Sequence, residues 1–585
     1  MSSVATPQSS AAPSGSSPQG PTGRVLVGIP VVPGVGAGPV VRPADRPRLP
    51  EVTGEPSVAE EARGAELERF QAAAEVVAGR LEGRAERASG AAAEVLEATA
   101  GLARDRGLLA AVGKRVKAGA PADQAVVGAA DQFSAMFTKL GGVMAERVTD
   151  LADLRDRLVA ELTGQEEPGV PTPADPSVLL ADDLAPADTA GLQPELVLAI
   201  ATTRGGPTSH TAIIARQLGI SCVVAVGGLD DVATGQFVLV DGTSGEVGVE
   251  PDRDHAQARV EESERERAAV AAWTGPGATA DGHAVDVLAN VQDGAGARKA
   301  AATGAQGVGL FRTELCFLDA DTEPSVEEQA RIYGEVLAAF AERAEGAGEG
   351  SKVVLRTLDA GSDKPLRFAT APDEENPALG VRGLRISWAQ PGILTRQLDA
   401  VALAAEQTGT QPWVMAPMVA TAAEAREFAA QVRQRGLKAG VMIEIPAAAL
   451  HAERILREVD FLSIGTNDLA QYTLAADRLS ADLAHLNDPW QPALLQLVAL
   501  TAAAGAAAGK PVGVCGEAAA DPLLGAVLVG MGITSLSCAA SAISAVGARL
   551  ASVDLAACTQ AARAAVAADD AAAARAAARE VLLGS

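Results

Sequence analysis

Phe461-Leu462-Ser463-Ile464-Gly465-Thr466-Asn467-Asp468-Leu469-Ala470-Gln471-Tyr472 is the stretch on which the fold turns. A short apolar run ends at a glycine, polar residues follow, and helix-forming spacing resumes at once. One strand–turn–helix unit says little by itself. The same order recurs from Val285 onward, with candidate strands at Val285–Val291, Gly307–Arg312, Val353–Leu358, Trp413–Met418, Val441–Ile445, Phe461–Thr466, Val512–Cys515 and Ser535–Cys538. Strands alternating with helices in this number, over roughly 300 residues, predict a (β/α)8 barrel near its usual size. Polar and charged residues gather where these runs end. In a barrel those ends meet on one face, so Arg312, Arg356, Glu444, Asn467, Asp468 and Cys515 are expected to line one pocket.

Working upstream, Arg253 to Trp273 reads as a charged helix, and Gly275 to Gly282 contains a break. Residues 253–282 are therefore expected to link two bodies, with the barrel occupying 283–585. Strand-like runs at Val178–Leu180, Leu196–Ile200, Cys222–Val226 and Phe237–Val240 resemble the alternation of Val25 to Val41. Between them Ser57 to about Leu162 is rich in Ala, Glu, Arg and Leu at helical spacing, and Pro171-Thr172-Pro173 marks the exit. The expectation is an α/β domain (24–56 and 166–252) with an inserted helical domain (57–165). Residues 1–23, rich in Ser, Pro, Gly and Ala, read as a disordered tail.

The chain has 585 residues and a net charge of −26, without a long basic run. That length suits several domains, and the charge argues against a nucleic-acid backbone as partner. Five scattered cysteines without metal-ligand spacing fit reduced thiols and a cytoplasmic location. The first residues lack the basic start and apolar run of a secretory signal. Pro522 to Ala548 carries no charge and is long enough to span a bilayer. Gly530-Met531-Gly532 and several hydroxyl residues divide it into a helix end, a turn, a buried strand and a further helix, so no membrane insertion is expected.

Gly205-Gly206-Pro207-Thr208-Ser209-His210-Thr211-Ala212-Ile213-Ile214-Ala215-Arg216 sets a histidine where a glycine-rich turn becomes a helix. The first turn of a helix leaves amide donors unpaired and stabilises an anion, so a phosphoryl group on the imidazole would sit in a prepared site. A histidine that merely caps or packs at the turn fits the same stretch. In the second half, the guanidinium forks of Arg312 and Arg356 suit a small multiply charged acid. Glu444 and Asp468 offer hard carboxylate oxygens of the kind Mg²⁺ prefers, and Arg478 is ten residues beyond Asp468. Cys515 reads either as a small buried thiol or as a general acid kept neutral by negative neighbours.

Gly205–Arg216 and Asp460–Arg478 resemble the two signature motifs of the phosphoenolpyruvate-utilising enzymes. Their order, the helical insertion and the length are most like the Enzyme I branch, the phosphoenolpyruvate-protein phosphotransferases of bacterial sugar uptake, over roughly residues 24–585. The resemblance implies that His210 accepts the phosphoryl group of phosphoenolpyruvate, with Thr189 hydrogen-bonded to its ring. It implies substrate binding by Arg312, Arg356, Asn467, Asp468 and Arg478, Mg²⁺ ligation by Glu444 and Asp468, and protonation of the enolate by Cys515 to give pyruvate. The phosphoryl group then passes to the carrier protein HPr, docked on the insertion, and the barrel forms a homodimer. His210 would have to serve two sites in turn, which calls for a swivelling domain.

Ser362, Cys538-Ala539 and Glu97-Ala98-Thr99 depart from the usual pattern of that family, the last bearing on carrier specificity. Two rival readings stand beside this one. A dikinase or synthase of the same family would need a nucleotide-grasping domain, expected to be absent here, and no Gly-rich P-loop occurs. A non-catalytic regulator would keep the fold without the chemistry, yet His210 and Cys515 are both present.

Overall fold

The computed structural model describes residues 23–44, 46–52, 56–86, 91–140, 143–171, 173–184, 192–206, 209–318, 320–341, 351–361, 366–369, 374–478 and 480–584. Thr189, Ser362, Thr172 and residues 1–22 of the expected tail lie outside the described residues. The chain forms two compact units that meet between Arg267 and Ala268, within a helix running from Arg253 to Ala272.

In the first unit the strands β1 (Arg24–Val27), β2 (Ile29–Val32), β3 (Val35–Val41), β4 (Ser177–Ala181), β5 (Val197–Thr202), β6 (Ser221–Val224), β7 (Phe237–Asp241) and β8 (Glu246–Val249) line up as β1-β8-β7-β3-β4-β5-β6-β2. The run from β3 to β6 is parallel and the flanking pairings are antiparallel. β8 was not expected from sequence, because Glu246-Val247-Gly248-Val249 is only four residues long and contains a glycine. Its turn identifies it instead: Asp241 Oδ1 accepts from the amides of Thr243 (2.9 Å) and Ser244 (3.1 Å), folding the chain back on β7.

β3 and β4 are parallel neighbours, with Val40 opposite Val178. Parallel neighbours need a crossover, and five helices lie between them in sequence: α1 (Arg63–Ala85), α2 (Ala91–Ala103), α3 (Arg106–Lys117), α4 (Ala122–Leu140) and α5 (Val143–Thr163). In α1 the buried residues Phe70, Ala74, Val77, Ala78, Leu81 and Ala85 recur every three or four positions, one apolar stripe facing a separate helical core. Asp105 caps α3 by accepting from the Leu108 amide at 2.9 Å. Fully buried Arg157 pairs with Asp153 (2.8 Å) and Glu167 (2.7 Å), tying α5 to the chain that leaves the bundle.

The second unit contains a closed, all-parallel barrel of β9 (Asp286–Val291), β10 (Gly307–Arg312), β11 (Lys352–Arg356), β12 (Trp413–Ala416), β13 (Lys438–Ile443), β14 (Phe461–Ile464), β15 (Val512–Val514) and β16 (Ser535–Cys538). Each expected barrel strand is present, several ending one or two residues early. Side chains alternate along a strand, and the alternation sorts the two cores. Leu310, Val354, Met415 and Met442 fill the interior with Phe461 and Cys515, whereas Phe311, Leu355 and Ile443 face the surrounding helices. Continuing that period puts Arg312, Arg356 and Glu444 back on the inner side, one step above the interior layer.

The uncharged stretch Pro522–Ala548 is divided as expected into a helix (Pro522–Gly530), a turn, β16 and the start of a helix at Ile543. Among the described residues one unbent helical stretch, Asp482–Ala508, is long and apolar enough to cross a membrane by length and composition. Its Pro492–Ala508 helix buries Leu494, Leu495 and Val498 in the barrel's outer core.

Candidate active site

At the C-terminal ends of the barrel strands a cavity of about 670 Å³ is lined by Arg312, Arg356, Glu444, Asn467, Asp468, Arg478 and Cys515, with Leu310 and Met442 as its floor. The strand-end argument thus brings its residues together. The cavity also takes in Glu314, and Asp359 and Arg382 stand directly behind it; none of these was singled out from sequence. Glu314 and Asp359 lie just beyond strand ends already recognised, so reading one or two residues further would have found them. Arg382 precedes a short 3-10 turn, Gly383–Arg385, in irregular chain, where no periodic pattern marks it.

Nearly every charge here is committed to an opposite one. Arg356 donates to Glu314 Oε1 and Asp359 Oδ2 (2.5 and 3.0 Å) and faces Glu444 Oε1 at 3.8 Å. Arg382 bridges Asp359 (3.2 Å) and Asp468 (3.3 Å), and Arg478 reaches the other oxygen of Asp468 at 3.2 Å. Burial works against the charge of Arg356, yet Asp359, Glu314 and Glu444 outweigh it and push its pKa up. The pKa of Glu444 is also raised, to about 8, first by burial and then by Asp359 and Asp468, with Arg356 only partly compensating, and for a carboxyl this disfavours the charged form. More negative charge surrounds Glu444 than the arginines neutralise.

Backbone geometry fixes that carboxylate. Met418, two residues past the end of β12, adopts a left-handed conformation (φ 58) that few non-glycine residues take. Its amide donates to Glu444 Oε2 at 2.8 Å. Just past β14, a Cβ on Gly465 would come within 2.9 Å of Glu444 Cγ, so the glycine leaves room for that carboxylate where it stands. The helix Thr466–Leu474 then starts at once, carrying Asn467 and Asp468 in its first turn. It ends at Ala475 in a left-handed turn, and Gln471 Oε1 accepts the Arg478 amide at 3.1 Å, which brings Arg478 back over the cavity.

Asn467 Oδ1 accepts the Glu517 amide at 3.0 Å, clamping the loop after β15. Cys515 begins that loop, and its Sγ lies 3.6 Å from the Ile464 carbonyl. Asn290 fixes the Cys515 backbone by donating from Nδ2 to its carbonyl at 3.1 Å. The thiol pKa is pushed up to about 11. The sequence reading attributed neutrality to anionic neighbours; burial comes first, and Glu444 is the smaller contributor against the lowering pull of Ser463, Arg356 and Arg312.

Glu444 and Asp468 give this cavity two carboxylates whose hard oxygens are a donor set that fits a divalent cation. Among the described residues no group of three or more His, Cys, Asp or Glu converges on a metal-sized point. Two carboxylates completed by ligand oxygens and water is the pattern magnesium accepts.

In the first unit, His210 is the first residue of the helix His210–Leu218. Ser209 caps it by accepting the Ala212 amide at 3.3 Å, and Gly219 (φ 68) closes it. Gly205 sits at φ 97, a conformation glycine alone takes freely, with Ser209 against it.

Comparison with known proteins follows the same divisions. Family models of PEP-utilising enzymes match residues 27–147 (N-terminal), 173–245 (mobile domain) and 266–555 (PEP-binding domain). The phosphoenolpyruvate-protein phosphotransferase of Streptomyces coelicolor is 52% identical over 519 residues, which cover 88% of this chain and 92% of that one. The protein of the same name from Haloferax volcanii is 39% identical over 553 residues, covering 92% and 95%. That from Staphylococcus carnosus is 37% identical over 441 residues, covering 72% and 75%. Related in this way along nearly its whole length, the chain belongs to the PEP-utilising enzymes, within the group of phosphoenolpyruvate-protein phosphotransferases.

Proposed function

We propose that this chain moves the phosphoryl group of phosphoenolpyruvate onto His210, releasing pyruvate, and then passes it to the histidine of HPr as the entry step of the sugar phosphotransferase system. The observation that carries this reading is the cavity itself. Strand ends far apart in sequence converge on a pocket that carries both arginines and carboxylates, with a buried thiol at its wall. Family membership supplies the reaction class.

Arg312, Arg356, Asn467, Asp468 and Arg478 form the substrate site, the guanidinium and amide donors among them matched to the substrate's carboxylate and phosphoryl oxygens. Glu444 and Asp468 would hold Mg²⁺, which when bound neutralises phosphoryl charge. An imidazole nitrogen of His210 forms the new N–P bond as the phosphoryl group's bond to the enol oxygen breaks. The electron pair left on the enolate takes a proton at carbon from Cys515, and the thiolate recovers one from water. Burial keeps the thiol in the protonated form this step needs. A helix start at His210, with its unpaired amides, suits the phosphorylated ring.

We assign 24–56 and 166–252 as the phosphohistidine domain, 57–165 as the HPr-docking insertion, 253–282 as the linker and 283–585 as the barrel that binds substrate and forms a homodimer. Thr189 is assigned to orient the ring of His210, and the protein to the cytoplasm. Incubation with ³²P-phosphoenolpyruvate and Mg²⁺ tests the centre of this reading. Wild-type protein should acquire acid-labile, base-stable label, and His210→Ala should acquire none while still binding substrate. Label persisting in that variant would move the acceptor elsewhere.

A further inference from the structure

Arg356 is held from two sides, and the two carboxylates that hold it are unlike. Asp359 is fully buried, lies behind the cavity wall and ties Arg356 to Arg382. Glu314 lies on the cavity side and contributes to its lining. It is 5% exposed, and its Oε1 accepts from Arg356 Nη2 at 2.5 Å, while Oε2 is buried without a hydrogen-bond partner among the described residues. A buried carboxylate with one oxygen unsatisfied is held less firmly than its ion pair alone suggests. Its backbone, by contrast, is fixed: neighbouring Thr313 donates from Oγ1 to the Arg356 carbonyl at 2.8 Å and accepts from Gln397 at 3.0 Å.

We propose that Glu314 is a built-in counter-ion that competes with the acidic substrate for Arg356, and so sets how tightly the pocket holds its ligand. This rests on the reading that the cavity binds phosphoenolpyruvate. Arg356 is itself only 5% exposed, and a buried guanidinium left without an anion is costly. Asp359 pairs with Nη1 throughout, and Glu314 supplies the anion at Nη2 when no ligand does. A ligand oxygen arriving at Arg356 gains one charge-assisted bond and releases another, so the exchange at this arginine nearly cancels. Net affinity then comes from the other donors of the site, chiefly Arg312. Once the ligand's anionic group departs, Glu314 returns, and Arg356 is paired at every stage. Binding energy withheld from the ground state in this way keeps the substrate from being held too firmly to react.

A buttress and a competitor predict opposite signs. Were Glu314 needed to aim Arg356, neutralising it would weaken binding. As a competitor, its neutralisation strengthens binding, because Asp359 still anchors the guanidinium. The experiment is calorimetric titration of phosphoenolpyruvate, with Mg²⁺ present, into full-length His210→Ala protein, which prevents turnover, and into the same protein carrying Glu314→Gln. The double variant should bind about tenfold more tightly, which corresponds to about 1.4 kcal/mol; inorganic phosphate, as a second probe, should shift in the same direction. With His210 intact, Glu314→Gln should lower KM. Equal or weaker binding, or a raised KM, overturns the proposal. If the glutamine variant melts below the assay temperature, Glu314→Asp, which retracts the charge from Arg356, takes its place with the same expected sign. Failure of the His210→Ala protein to bind phosphoenolpyruvate at all would instead sink the reading of the pocket.

Discussion

Gly465→Ala is a single-methyl change that isolates one carboxylate. Gly465 has φ −89, which alanine adopts without strain. The new Cβ would meet Glu444 Cγ at 2.9 Å and Oε1 at 3.1 Å, against an ordinary contact of 3.4 Å or more. Glu444 must therefore shift by roughly 0.5–1 Å to restore normal packing distances. Alanine also stiffens the unfolded chain, worth about 0.4–1 kcal/mol in favour of folding, while the crowding costs about 1–3 kcal/mol. Stability should consequently fall only slightly. Activity should not be spared, because a displacement of this size at a reacting site costs up to about a hundredfold, or about 2.7 kcal/mol of barrier. Pyruvate release, followed across a Mg²⁺ titration beside a thermal melt, measures both quantities. The expected outcome is a fall of thirtyfold or more (order of magnitude) in kcat/KM, a raised metal requirement, and a melting temperature within a few degrees of wild type. A variant with wild-type kcat/KM and metal dependence would refute the placement of Glu444 as a group whose position matters.

Cys515→Ala should slow pyruvate formation by about 10²–10⁴-fold with little change in substrate binding; equal losses in both would mark a structural thiol. Since burial raises the thiol pKa from 9.0 to about 11, the acid stays protonated through neutral and mildly alkaline pH, and its rate contribution should be lost only as pH approaches 11. A rate decline centred below pH 9 that disappears in Cys515→Ala would contradict this. Replacing Ser57–Leu162 with a flexible linker should leave self-phosphorylation of His210 intact and abolish transfer to HPr, because β3 and β4 remain neighbours in the sheet without the helices; retained transfer would place the docking surface elsewhere. Finally, Mg²⁺ and phosphoenolpyruvate should strengthen each other's binding by the same factor, as linkage requires, and independent binding constants in a His210→Ala background would show that the carboxylates and arginines are not shared between them.

The barrel was legible because its strands are short apolar runs punctuated by glycine and polar turns, and because period-two alternation needs no knowledge of neighbours. Arg312, Arg356 and Glu444 could be read as strand-end groups for that reason. What escaped notice depends on long-range contact. Asp359 matters because Arg382, brought in by irregular chain, meets it behind the cavity wall. Glu314 matters because Arg356 faces it from the next strand. The direction of the Cys515 shift was accessible from sequence, but its cause was not: burial is a property of the closed barrel, invisible in Gly513-Val514-Cys515-Gly516-Glu517. β8 escaped for a local reason, being a four-residue strand whose existence is decided by the Asp241 turn before it.

The near-cancellation of charge in this cavity explains why it folds and why it can work. Isolated buried guanidinium or carboxylate groups would each cost several kcal/mol, so a pocket built for a multiply charged acid must carry its own anions to be stable without one. Those anions then obstruct the ligand unless something draws them off. Asp468, which engages Arg382 and Arg478, and Glu444, which faces Arg356, are the two carboxylates suited to a divalent cation. A cation held on those oxygens would draw them from Arg356 and Arg478, two of the guanidinium groups proposed to bind the acid. On the proposed reading, metal and substrate would therefore enter by exchanging partners within a fixed set of charges rather than by adding to it. Asp359, out of reach behind the wall, keeps Arg356 and Arg382 aimed throughout, and Glu314 is the remaining carboxylate that the ligand itself must displace.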